Sequence, residues 1–145
     1  VIDNHYINKN GLDFEKELIQ VLKLYNVEII CLAGFMKILS KKFIDNFKHR
    51  ILNIHPSLLP KYKGLNTHAR AIASNDSIAG CSVHLVTPEL DGGPVLAQSK
   101  VVIKKNENEK SLALKVLFEE HLLYPRVLLS FSNQLTKKLD AENCK

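Results

Sequence analysis

Arg50 to Asn66 reads RILNIHPSLLPKYKGLN, and the change of character within this stretch decides how the chain is read. Arg50 to Ile54 is short and aliphatic, the composition of a strand, with Asn53 bringing an amide to its end. From His55 to Asn66 the pattern is neither helix nor strand. Pro56, Pro60 and Gly64 punctuate it, and Pro60 biases Leu59 away from helix. Upstream, Val27 to Leu32 (VEIICL) is almost entirely apolar, as expected of a strand buried on both faces of a parallel sheet. An amphipathic helix precedes it, Leu12 to Tyr25, with Phe14, Leu18, Leu22 and Tyr25 on one stripe and Asn26 at its end. Between these, Ser40 is placed to cap a short helix through Phe43, Ile44 and Phe47.

Downstream, Thr67 to Ser74 reads as a short helix. Cys81 to Thr87 reads as a strand in which Val83 and Leu85 alternate with Ser82, His84 and Val86, and Val95 to Ile103 as another. Asp91-Gly92-Gly93 supplies turn chemistry between them, so the two strands are expected to pair as antiparallel neighbours. Glu109 to Tyr124 is a long amphipathic helix, interrupted or bent at Pro125, and the polar tail from Asn133 is expected to fray. Strands and helices alternate, which predicts an α/β fold: a mostly parallel, Rossmann-like sheet flanked by helices, with an antiparallel hairpin toward the C-terminal half.

Composition narrows the class. A chain of 145 residues, 46% hydrophobic and 24% charged, fits one globular domain and excludes collagen-like and low-complexity sequence. The net charge of +5 is carried by lysines apart from Arg50, Arg70 and Arg126. They are scattered without an aromatic stripe, so a solvated surface or an anionic small ligand is expected rather than nucleic acid. No apolar run approaches the ~20 residues of a membrane span, and no membrane partner is expected. VIDNHYINKN lacks the pattern of a secretory signal. Cys31, Cys81 and Cys144 are odd in number and widely spaced, which points to a reducing, cytoplasmic setting. No glycine-rich phosphate loop of the GxGxxG or GxxxxGK[ST] type is present.

In an open α/β sheet the ligand crevice lies off the carboxyl ends of the strands, and the segments Gly34–Leu39, Asn53–Pro60 and Thr87–Gly93 follow strands. This gathers Asn53, His55 and Asp91 into one neighbourhood. An amide offers a donor to a developing oxyanion, and a His two residues further along the strand points to the same side. A carboxylate from a neighbouring loop can fix the tautomer of the ring and favour its protonated form. The set suits addition to a carbonyl carbon, either acyl transfer to an amine or hydrolysis. No nucleophile is well placed: Ser57 lacks a G-x-S-x-G elbow. Each residue also has a plainer reading: Asn53 as a partner for a strand-end carbonyl, His55 as a structural loop histidine, Asp91 as a turn former. A zinc site of Cys81, His84 and Asp91 is disfavoured, because residues three apart on a strand face opposite ways. His49, His68 and His121 receive no role.

Three runs carry a resemblance: LAGFMKILS (Leu32–Ser40), ILNIHPSLLPKYKGLNTH (Ile51–His68) and GCSVHLVTPELDGGPVLAQ (Gly80–Gln98), joined by EEHLLYP (Glu119–Pro125). In that order, over nearly the whole chain, they resemble the phosphoribosylglycinamide formyltransferases of purine biosynthesis. The resemblance implies the formyltransferase fold and transfer of a formyl group from the cosubstrate 10-formyltetrahydrofolate to the amine of 5-phosphoribosylglycinamide, without metal. It implies that Asn53 and His55 are the oxyanion-binding amide and the general acid, and that Asp91 tunes the His and organises proton transfer. Met36, Lys37, Ile38 and Leu39, with Val86, Thr87, Pro88, Glu89, Leu90 and Asp91, match the segments that clasp the folate, and Asn53 also lies against it. Pro56 and Glu120 match ribonucleotide contacts.

Related families share the Asn-x-His…Asp core. Methionyl-tRNA formyltransferases typically carry Gly after the His and an Arg-Gly-Ala stretch, where Pro56 and KGLNTH stand here. Formyltetrahydrofolate deformylases typically carry a second His at the place of Pro56. Asn66 stands where the family usually has His, in a loop expected to be mobile. Gly11 falls near a folate-contacting Arg, with Lys9 as the candidate replacement. The family's first strand, its Gly-Ser-Asn phosphate loop and the following helix have no counterpart, so residues 1–145 are read as one formyltransferase domain, N-terminally incomplete. A sheet lacking leading strands exposes an edge, through which a homodimer could form. The alternatives are a non-catalytic folate-binding fragment and a formyltetrahydrofolate hydrolase or other formyltransferase.

Overall fold

Apolar runs in the chain become the strands of one sheet, which carries helices on both of its faces. The computed structural model describes the backbone of residues 11–143 and the side chains of residues 14–137. Lys9 lies outside them, and Gly11 is the first residue of the first helix. The elements run α1 (Gly11–Leu24), β1 (Ile30–Leu32), α2 (Lys41–Asn46), β2 (Ile51–His55), α3 (Thr67–Ala73), β3 (Ile78–Leu85), β4 (Val95–Val102) and α4 (Glu109–Asn143).

The sheet has the order β1-β2-β3-β4. It is mixed: parallel at β1–β2, antiparallel at β2–β3 and β3–β4. The hairpin expected around Asp91-Gly92-Gly93 is β3–β4. The parallel arrangement expected for most of the sheet holds only at β1–β2 among the described residues. An apolar run reports that both faces of a strand are covered and says nothing of its direction. β3 is such a strand, buried from Ala79 through His84 without the in–out alternation expected of it.

β1 is shorter than the expected Val27–Leu32 and is half-buried, with Cys31 exposed, because β2 is its only neighbour in the sheet among the described residues. Tyr25, expected on the buried stripe of α1, falls beyond the helix and is exposed, while Phe14 and Leu22 are buried. α2 begins as expected: the Ser40 hydroxyl accepts from the Phe43 amide at 3.1 Å. Ser40 in turn donates its backbone N–H to Glu15 at 2.7 Å and its hydroxyl to the same carboxylate, which ties α1 to α2.

Side-chain alternation along β2 assigns the layers. Ile51 points into a cluster with Leu22, Leu39, Phe43, Ile44 and Phe47, so α1 and α2 cover that face. Ile54 points the other way, into a cluster with Ala79, Cys81, Val83, Leu112 and Val116, so α4 covers the opposite face. Asn53 and His55 share the face of Ile51. α4 runs on to Asn143 through Pro125 and past the expected fraying point at Asn133. Pro125 is exposed, and so is His121, whose carbonyl loses its usual helical partner and can be hydrated instead. The Tyr124 hydroxyl lies 3.0 Å from the carbonyl oxygens of both Leu32 and Leu52, fastening α4 to the carboxyl end of the parallel pair.

Candidate active site

The antiparallel register of β2 and β3 sets the site. Asn53 lies directly opposite His84, and His55 opposite Ser82, so Asn53, His55, His84 and Ser82 share one face of the sheet. The buried Ser82 hydroxyl donates to the Ser57 carbonyl at 2.6 Å and accepts from the Leu59 amide at 3.0 Å and from Gln98 at 2.9 Å. This holds the segment that leaves β2 against the sheet.

Asp91 arrives by a different route from the one a parallel sheet implies. β3 ends beside the beginning of β2, with Leu85 opposite Leu52, so the segment after β3 starts at the far end from His55. It then folds back. Asp91 takes a left-handed backbone conformation, φ 46°, a costly choice for a residue with a side chain and one that clusters at functional sites. Gly93 permits the turn: a Cβ there would lie 1.9 Å from the Leu85 carbonyl oxygen. The carboxylate comes to rest between two imidazoles, 3.4 Å from His55 Nδ1 and 3.6 Å from His84 Nε2, with its side chain 8% exposed.

Donor and acceptor logic orients the groups. A carbonyl oxygen only accepts, so His84 Nδ1 must carry the hydrogen it shares with Leu85 O at 2.9 Å. Its Nε2 is then free to accept from Asn53 Nδ2 at 3.2 Å. Burial holds the His84 pKa below the usual histidine range, against the opposing pull of the Leu85 carbonyl and Asp91, which agrees with a neutral ring. One amide hydrogen of Asn53 is therefore anchored, while the other has no partner among the described residues. By the same logic His55 Nε2 carries the hydrogen donated to Tyr62 O at 2.9 Å, leaving Nδ1 to face Asp91. The Gly64 amide donates to Asp91 Oδ2 at 2.8 Å.

Asn53, His55 and Asp91 are thus brought together. His84 was not singled out for this role: it reads as the polar side of an alternating strand, and only the register places it opposite Asn53. The Tyr62 carbonyl was also missed, since backbone groups leave no trace in residue type. His68 lies within electrostatic reach of His55 and Glu109, and burial lowers its pKa. Met36 and Ile38 are exposed on the segment after β1, Leu39 turns into the core, and the Lys37 ammonium sits 4.8 Å from the Phe14 ring centroid. Val86 extends the sheet by donating to Ile51 O at 2.9 Å, and Glu89 pairs with Lys63 at 2.7 Å. Pro88, Glu89 and Leu90 are exposed, with Thr87 half-buried.

Pro56 follows His55 and is half-buried. Glu120 stays apart from the cluster. It lies on α4, within electrostatic reach of Cys81, whose side chain points to the α4 face of the sheet. Burial raises the Glu120 pKa, with His121 opposing. Cys81 and His84 point to opposite faces, and burial, then Glu120, push the Cys81 thiol up to about 11. No group of three or more His, Cys, Asp or Glu side chains among the described residues is arranged to hold a metal ion. Nor is any helix among them long and apolar enough to cross a membrane.

One face of the α/β sheet thus gathers an anchored amide and two imidazoles, with a carboxylate between the two rings. The sequence profile described as formyl transferase matches residues 2–128, and the chain belongs to that family. It is 46% identical over 120 residues to phosphoribosylglycinamide formyltransferase of Escherichia coli, covering 83% of this chain and 57% of that one. It is 38% identical over 125 residues to the human trifunctional purine biosynthetic protein adenosine-3, covering 86% of this chain and 12% of the human one. The solved structure of phosphoribosylglycinamide formyltransferase from Brucella melitensis superposes with a TM-score of 0.80 at 46% identity, over 84% of this chain and 62% of that one. The chain thus spans 57% of the length of its E. coli relative.

Proposed function

We propose that residues 1–145 form a single formyltransferase domain that moves a formyl group from 10-formyltetrahydrofolate to the amine of 5-phosphoribosylglycinamide, in the cytoplasm and without a metal. The observation that carries this reading is the Asn53 amide, held through one hydrogen by His84 Nε2 at 3.2 Å with its second hydrogen left to donate. Such a preorganised donor beside a carboxylate-paired imidazole is what a tetrahedral adduct requires.

The nitrogen of the ribonucleotide amine attacks the formyl carbon, forming a new C–N bond as the carbonyl electrons move to oxygen. Asn53 Nδ2–H and the protonated His55, through Nδ1–H, stabilise that oxyanion. Asp91, 3.4 Å from His55 Nδ1, takes up the proton lost by the attacking nitrogen. The same proton reaches the folate nitrogen as its bond to the formyl carbon breaks. Met36, Lys37, Ile38 and Leu39 on one side and Val86 to Asp91 on the other clasp the flat heterocycle with backbone groups. Pro56 and Glu120 are assigned to the ribonucleotide. Because Glu120 belongs to the α4 side, a ligand touching both must pass the strand ends.

The test is loss of the formyl donor with and without the ribonucleotide, water being the sole acceptor in the control. Ribonucleotide-dependent loss with a formylated amine as product is the expected result. Equal loss in water would make the chain a hydrolase. No loss, in a folded sample that binds a folate analogue, would reduce it to a folate-binding fragment.

A further inference from the structure

His55 depends on a loop that has little regular structure of its own. Tyr62, Gly64 and Asn66 all adopt left-handed backbone conformations, with φ of 54°, 76° and 57°. Asn66 and Gly64 tolerate this region, but the Tyr62 side chain disfavours it, so something outside the loop must hold Tyr62 there. Yet this loop supplies the backbone contacts to His55 and Asp91: the Tyr62 carbonyl on His55 Nε2 at 2.9 Å and the Gly64 amide on Asp91 at 2.8 Å.

Two side chains from outside the loop hold it. Asp76, between α3 and β3, accepts from the Tyr62 hydroxyl at 2.9 Å and from Lys61 Nζ at 2.9 and 3.1 Å. Arg70 on α3 stacks its guanidinium 5.1 Å from the Tyr62 ring centroid and donates to the carbonyls of Lys63 at 2.7 Å and Leu65 at 3.3 Å. An exposed Lys–Asp pair alone would contribute little. Here the carboxylate is 18% exposed, and it is shared with a phenol whose ring is stacked and whose own carbonyl touches the site. The chain of contacts is continuous: Asp76 to Tyr62, Tyr62 O to His55 Nε2–H, His55 Nδ1 to Asp91.

We propose that Asp76, assisted by Arg70, is a positioning residue for His55: by fixing Tyr62 it keeps the Tyr62 carbonyl on Nε2–H and so selects the tautomer that leaves Nδ1 facing Asp91. The proposal rests on the reading of His55 as the acid–base group of formyl transfer. A brace that merely stabilised the loop would leave the tautomer alone.

The experiment is nitrogen-15 NMR of the His55 ring in the full chain, at a pH where the imidazole is neutral, for wild type, Asp76→Asn and Tyr62→Phe. Asp76→Asn keeps the shape and removes the charge. Tyr62→Phe removes only the hydroxyl and leaves the carbonyl. The wild type shows hydrogen on Nε2 alone, and each variant shows a mixture of both tautomers. The kcat of formyl transfer falls roughly tenfold, part of what complete loss of acid–base catalysis costs, while the KM for the formyl donor moves less than about twofold. Folded variants with an unchanged His55 spectrum overturn the proposal, and Tyr62→Phe decides alone should Asp76→Asn fail to fold. If the wild type transfers no formyl group, the functional reading fails, and the spectra still decide the role of Asp76.

Discussion

Replacing His84 by phenylalanine keeps a ring of similar size where the side chain is 3% exposed, and removes both of its hydrogen bonds. The Leu85 carbonyl loses a donor at 2.9 Å and Asn53 loses its acceptor at 3.2 Å. Buried groups left without partners cost about 1–3 kcal/mol each, so with two of them the variant should be less stable by about 2–6 kcal/mol. The larger effect is on direction. Asn53 keeps its amide but nothing fixes its rotation, so part of an oxyanion donor worth about 10²–10³ in kcat is lost. We expect kcat for formyl transfer to fall roughly 10–100-fold, with the KM for the formyl donor within about threefold because its contacts are assigned to backbone groups. His84→Gln, whose amide can both accept and donate, should recover part of the loss. Steady-state kinetics over both substrates reads the effect. A folded His84→Phe protein with wild-type kcat would refute the reasoning that His84 orients Asn53.

Tyr124→Phe removes the hydroxyl shared by the Leu32 and Leu52 carbonyls at 3.0 Å, and should cost about 1–2 kcal/mol in urea unfolding with m unchanged. Gly93→Ala should cost more than about 2 kcal/mol and lower soluble yield, since its Cβ would sit 1.9 Å from the Leu85 carbonyl oxygen. Stability should fall as pH drops from 7.5 to 5.5. His84 and His68 have depressed folded pKa values, so below the usual histidine range the unfolded chain binds more protons, and their contribution, complete above that range, is lost as pH falls through the folded values. Urea midpoints at the two pH values measure it, and His84→Phe should flatten the difference. Cys81, buried and with its thiol near 11, should react with a thiol reagent only after unfolding, as a time course with and without denaturant would record.

Much of the fold was legible because periodicity reports burial. Phe14 and Leu22 mark α1, Ser40 caps α2, and Asp91-Gly92-Gly93 joins β3 to β4, as their chemistry requires. Strand direction was less legible, because a strand covered on both faces, such as β3, looks the same running either way. α4 continues past Asn133, where polar composition suggested an end, since Gln134, Leu135 and Lys137 are good helix formers whether or not they are buried. In the candidate site, Asn53 and His55 share a face by a spacing of two, which sequence alone predicts. Asp91 reaches them by folding back from the opposite strand end, so the neighbourhood was anticipated by an argument the antiparallel register does not obey. His84 and the Tyr62 carbonyl were out of reach of residue patterns. One needs the cross-strand register, and the other is a backbone atom in a loop of left-handed residues.

We propose that the cluster of Asn53, His55 and Asp91 performs the transfer rather than merely shaping the sheet. Single-turnover formyl transfer by Asp91→Asn, with donor binding measured on the same sample, tests it most directly. The predicted result is a donor Kd within about threefold of wild type and a transfer rate lower by roughly 10²–10⁴, the usual worth of acid–base catalysis. A variant that binds the donor and transfers its formyl group at the wild-type rate would remove Asp91 from the chemistry.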